Sequence, residues 1–156
     1  MKIEDFQNDN KHDHYFEFLD YEVEVNLELE HGEKKDDFGL LVNNINAWSN
    51  SFFKHLEPML YAYYENTLIM CGESEPIIES PSDIWRFMRI GSLMLHSNES
   101  EYYILASGWC AWEEEHGLEF DVNSSNEVVY LGSFINNGFY EDPKNPSPHN
   151  FIEGNA

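Results

Sequence analysis

Glu113, Glu114, Glu115 and His116 are the densest run of chemically capable side chains in the 156-residue chain. Carboxylates and an imidazole can ligate a divalent ion, and neighbouring acids can share acid–base work. Adjacent residues point in different directions, however, so this run does not form a cage by itself. His-Glu-x-x-His, the EF-hand loop and paired Cys-x-x-Cys are all absent, and no metal is expected. The run is read instead as a turn. Gly117 supplies the positive φ, Trp112 leads in, and His116 bonds the turn or pairs with a neighbouring Glu. Nucleophile motifs are missing as well. Ser107-Gly108 has no elbow pattern around it, and neither Cys71 nor Cys110 has basic neighbours to lower its pKa. No glycine-rich phosphate loop occurs. With thirty acids, a glycosidase-like carboxylate pair could be proposed anywhere, so none is diagnostic. The expectation is a protein without catalytic residues or cofactor.

A second group of acids is spaced by twos. Glu22, Glu24, Glu28 and Glu30 alternate with Tyr21, Val23, Val25, Leu27 and Leu29. On a strand, same-face residues lie roughly 7 Å apart, so these carboxylates would form a line. A solvated outer face or the protection of a sheet edge would account for them. Such faces usually mix Lys with Glu, because like charges in register repel. A one-sign ladder therefore points to a cationic partner, with Glu113, Glu114 and Glu115 as a second patch.

The composition agrees. Thirty acids against eight bases give a net charge of −22. Residues 1–37 carry thirteen acids and four bases, and residues 101–156 carry ten and one. Such a surface repels nucleic acid and anionic lipid and attracts basic proteins. Eight bases spread over the chain exclude a basic nucleic-acid patch. Neither a leader nor an apolar membrane span is visible. Two cysteines without metal spacing read as buried, reduced thiols, which suits a cytoplasmic protein.

The elements that must position these acids follow from periodicity. Residues Tyr15–Glu30 read as a strand that bulges or turns near Leu19 or Asp20, or whose two halves face different ways, because Phe16 and Phe18 have the opposite parity from Tyr21. Met1–Asp13 is polar and reads as a loose or short edge segment. Phe38, Leu41, Val42, Ile45, Trp48, Phe52 and Leu56 mark a helical stripe, capped by Asp36 or Asp37 and kinked or broken at Pro58. Ser80, Pro81 and Asp83 start a short helix that Gly91 punctuates. Leu93 and Leu95 belong to a strand that turns at Ser97–Ser100 into the uncharged run Tyr102–Trp112, expected to be a central strand covered on both faces. Leu118, Phe120 and Val122 then alternate with Glu119 and Asp121, and Glu127–Leu131 is β-rich. The fold class is α+β: a mostly antiparallel sheet, an N-terminal strand plus a C-terminal meander, packed against one or two helices. A single domain over 1–140 and a polar tail over 141–156 complete it.

The segment WCAWEEEHGLEFDV with the trailing EVVYLG resembles a family of small acidic bacterial domains of unknown activity. Members commonly show Trp-Asp-Glu-Glu-His-Gly before a strand; here Glu113 stands in place of the Asp and keeps the charge. The upstream order is also similar: a strand, a helix ending in Tyr63-Tyr64, and Trp85 in a short helix. The likeness covers Tyr21–Gly132, with Trp112–Gly117 its specific part. Such domains occur among the immunity proteins of polymorphic toxin systems. The resemblance therefore implies an antitoxin that neutralises a cognate basic toxin, and it carries over no catalytic residues. A nucleic-acid mimic that occupies a DNA-binding protein shares the same charge, and an acidic interaction domain without a toxin is a further alternative.

Overall fold

Lys11–Phe16 (β1) and Tyr21–Leu27 (β2) form an antiparallel hairpin in the computed structural model, which describes residues 1–136 and 147–152. The parity change between Phe16 and Tyr21 is a tight turn. Asp20 takes a φ of 61°, its amide donates to the Phe16 carbonyl at 2.9 Å, and its carboxylate accepts from the Tyr15 hydroxyl at 2.6 Å. A short polar residue tolerates this left-handed conformation. Where one N-terminal strand is expected from the sequence, there are two.

The helical stripe is divided differently from the expectation. A 3-10 turn over Lys35–Phe38 leads into α1 (Gly39–Asn46), and α2 runs unbroken from Asn50 to Cys71. Asp37 caps the 3-10 turn, accepting from the Lys34 amide at 2.8 Å, and does not cap α1. The break falls at 47–49, where Ser49 is extended. Pro58 sits inside α2. It faces solvent, so the carbonyl it leaves without a partner is reachable by water, while buried Phe53, Leu56, Met59, Leu60, Tyr63 and Tyr64 hold both halves of the helix on the sheet. Leu68–Cys71 is the last turn of α2, closed by Gly72 at φ 68° with the Glu73 amide on the Leu68 carbonyl. Cys71 is therefore exposed, contrary to expectation, and Cys110 is buried.

After Pro81–Phe87, a 3-10 segment, the chain enters the meander: β3 (Met88–Asn98), β4 (Glu101–Cys110), β5 (Leu118–Asn123) and β6 (Val128–Gly132). The sheet order is β1-β2-β3-β4-β5-β6, with β2 and β3 parallel and every other pair antiparallel. Gly91 does not end a helix. It lies in β3 at a bulge between Ile90 and Ser92, which shifts the buried positions from Met88 and Ile90 to Leu93 and Leu95.

Val23, Val25, Leu27, Leu93, Leu95, Ile104, Ala106, Phe120, Val122 and Leu131 make the inner face, buried with the side chains of α1 and α2. Among the described residues, no helix lies on the outer face. Hence β4 is not covered on both sides: Leu105 is buried, but Trp109 is 47% exposed. The middle of that face is covered by chain beyond β6, where the Ile135 and Asn136 amides donate to Glu119 at 2.7 and 2.6 Å. Glu119 and Asp121 are fully buried there. Of the expected 141–156 tail, residues 147–152 lie against β6, with Asn150 and Phe151 buried; 141–146 and 153–156 fall outside the described residues.

Candidate functional site

The Trp112–Gly117 segment is built as a turn that locks the β4–β5 corner to α2. Trp112 is buried edge-on to the rings of Tyr63 and Tyr64. Glu113 folds back over the turn: its Oε1 accepts from the Glu115 and His116 amides, each at 3.2 Å, and lies 3.4 Å from His116 Nδ1. The Gly117 amide donates to the Glu113 carbonyl at 2.8 Å, and the Gly117 carbonyl accepts from the Tyr63 hydroxyl at 2.8 Å. Glu114, Glu115 and His116 point into solvent. No group of three or more metal-ligating side chains comes together among the described residues.

The glutamate ladder is partly assembled. Glu22 and Glu24 lie on the outer face of β2, and Glu28 continues the line just beyond the strand, its amide on the Leu95 carbonyl at 2.9 Å. Glu30 leaves the line: its amide is held by the Glu33 carboxylate in the following turn, while the other oxygen of Glu33 takes the Ser97 hydroxyl. Because β2 is an interior strand, these acids do not guard an edge. Asp13 of β1 stands directly opposite Glu24, and Lys11 Nζ reaches Glu24 Oε1 at 3.4 Å. Glu28 lies six residues from Glu22, about 20 Å at the rise of a strand. The strand directions place Glu28 at the opposite end of the sheet from the Glu113–Glu115 turn. Glu22, next to Tyr21 whose hydroxyl takes the Ile90 amide, lies at the turn's end of the sheet, so it is Glu28 that is set far from the second acidic group.

One concentration of acids was not read from the sequence. Asp5, Asp9, Asp13 and Glu24, with Lys11 as the one Lys or Arg, line a recess of about 370 Å³ beside β1. Its rim is the N-terminal segment. Buried Phe6 anchors that segment, and Lys35 Nζ clamps it by donating to the Phe6 and Gln7 carbonyls at 2.8 and 2.9 Å. The Asp5 carboxylate is turned back to the Lys2 amide at 2.7 Å. The apolar signals in this stretch are Met1, Ile3 and Phe6, and nothing local announces a clamp from Lys35.

Histidines sit at both ends of the β1–β2–β3 region. Burial holds His14 on β1 below the usual imidazole range, with the N-terminal ammonium and His12 adding to the effect. Burial does the same to His96 on β3, against the opposing fields of Glu28 and Glu119.

A family model described as a domain of unknown function, DUF6985, matches residues 2–137. The chain belongs to this family. The DUF6985 match takes in β1 to β6, both helices and every acid named above. No curated protein and no solved structure matches the chain. Among the described residues, no helix is long and apolar enough to cross a membrane.

Proposed function

We propose that this DUF6985 protein is an immunity protein of the cytoplasm. It binds a cognate toxin one to one and blocks it by laying carboxylates against a cationic surface. The observation that carries this reading is the β1–β2 hairpin, whose outer face presents Asp13, Glu22 and Glu24 beside the Asp5–Asp9 rim with Lys11 the one Lys or Arg among them. The net charge of −22 supports long-range steering, and the resemblance of Trp112–Gly117 to immunity-protein domains supports the class of partner. Steering sets how fast the complex forms; apolar anchors set how long it lasts. Tyr15, 51% exposed beside the acids, is one such anchor. Glu114 and Glu115 form a second, independent patch.

The test is neutralisation. The product of the adjacent reading frame, expressed alone, should arrest growth, and co-expression with this protein should restore it. A neighbour that is harmless, or that stays toxic beside a well-folded, abundant copy of this chain, sinks the proposal.

A further inference from the structure

The two edges of the sheet are finished differently. At β6, residues 147–152 supply main-chain partners: the Phe151 amide donates to the Leu131 carbonyl at 2.8 Å, and Asn150 bonds both the Leu131 amide and the Val129 carbonyl. At β1 no such cover exists among the described residues.

The outward-facing groups follow from the ladder. The Leu27 amide donates to the Asn10 carbonyl at 2.9 Å, so even-numbered positions from Asn10 to Phe16 turn their main-chain groups towards β2. Lys11, Asp13 and Tyr15 turn theirs out. The Lys11 amide is taken by Asp9 Oδ1 at 3.3 Å. That leaves the N–H and C=O of Asp13 and Tyr15, with the Lys11 C=O, as an open main-chain edge.

An open edge invites another copy of the same chain. Here charge opposes that, because a second copy would bring a second Asp13 and a further −22 to the same place. We infer that β1 is a strand-docking edge, and that its occupant is an extended cationic segment of a partner protein. The segment adds as a seventh strand on Asp13 and Tyr15. Its alternate arginine or lysine side chains, facing the outer side, meet Asp13 and the recess carboxylates of Asp9 and Glu24. This inference rests on the acidic-docking reading and names the element that does the docking.

The probe is a peptide of about ten residues alternating arginine with valine, long enough to span a six-residue strand with flanks. A control peptide of the same charge is N-methylated at alternate amides. On binding to the full chain, the Asp13 and Tyr15 amides should exchange with solvent about tenfold or more slowly. N-methylation should weaken binding about tenfold, the loss of one or two hydrogen bonds. Asp13→Pro removes the outward N–H without touching the β1–β2 ladder, and an edge strand tolerates it. It should bind about tenfold more weakly than Asp13→Ala, which loses the same charge; Tyr15→Pro against Tyr15→Phe repeats the comparison if the first variant does not fold. Peptide binding without protection of these amides, or with equal affinity for the Pro and Ala variants, overturns the edge and leaves the acidic-docking reading standing. No binding at low salt overturns both. Sedimentation showing a dimer that Asp13→Pro converts to monomer gives the edge to a second copy and overturns the cationic segment.

Discussion

The Tyr63 hydroxyl of α2 donates to the Gly117 carbonyl at 2.8 Å, a buried bond between residues 54 apart in sequence. It joins the helix to the corner where β4 becomes β5, and it makes the Trp-acidic-His-Gly segment a fastening between layers. Burial raises the Tyr63 phenol far above the usual tyrosine range, which favours the protonated, donating hydroxyl.

Two substitutions test that fastening. Tyr63→Phe leaves a buried carbonyl without its donor and should cost about 1–2 kcal/mol in denaturant unfolding. Gly117→Ala should cost more, about 2–4 kcal/mol, because φ is 69° and a Cβ would lie 2.5 Å from the Gly108 carbonyl oxygen. Glu114→Gln and Glu115→Gln, both exposed, should stay within about 0.5 kcal/mol of the parent. A Gly117→Ala protein as stable as the parent would contradict the turn geometry.

The two thiols should separate cleanly. Burial pushes Cys110 up to about 12, against backbone hydrogen bonds at Glu113 and Trp112 that pull the other way, while Cys71 lies exposed at the end of α2. At pH 8 iodoacetamide should add once to the native protein, at Cys71, and twice after denaturation. Mass spectrometry that finds Cys110 modified in the native state would contradict the packing at the turn.

Stability should fall with pH on account of the histidines. His14 and His96 are held below the usual imidazole range, so the unfolded chain binds protons first as pH drops. Their contribution is present above the unfolded imidazole pKa of about 6.5 and is lost as pH falls through that value towards their lower folded values. Melting temperatures between pH 7.5 and 5.5 should decline for the parent, and less steeply for His96→Gln. Equal slopes would mean that the burial of His96 is not what makes the protein acid-sensitive.

The elements whose pattern is set by one packed face were legible in the sequence. The alternation of Val23, Val25 and Leu27, the stripe from Leu41 to Leu56 and the β3–β4 hairpin all reflect a single apolar side against a core. What was missed depends on contacts distant in sequence. Pro58 reads as a breaker because its lost bond is local, whereas the packing that keeps α2 whole is not. Glu119 and Asp121 read as the polar side of a strand, but both are fully buried, and Glu119 takes the Ile135 and Asn136 amides from chain beyond β6. The acidic ladder was visible as spacing, and its first members are where the alternation puts them. The recess beside it was not, because Lys35 reaches back across 28 and 29 residues to set its rim. The turn at Trp112–Gly117 drew attention for its carboxylates, and Glu113 is used to fold it.

The acids of the β1–β2 region are proposed as the docking face. The direct measurement is the association rate between this protein and the adjacent gene's product, by stopped flow at low and at physiological salt, for the parent and for the combined Asp9→Asn, Asp13→Asn, Glu22→Gln and Glu24→Gln variant. The parent should slow by about tenfold or more as salt rises, and the variant, folded and equally stable, should associate more slowly than the parent at low salt and lose less of its rate as salt rises. A variant that associates as fast as the parent, with a rate indifferent to salt in both, contradicts it.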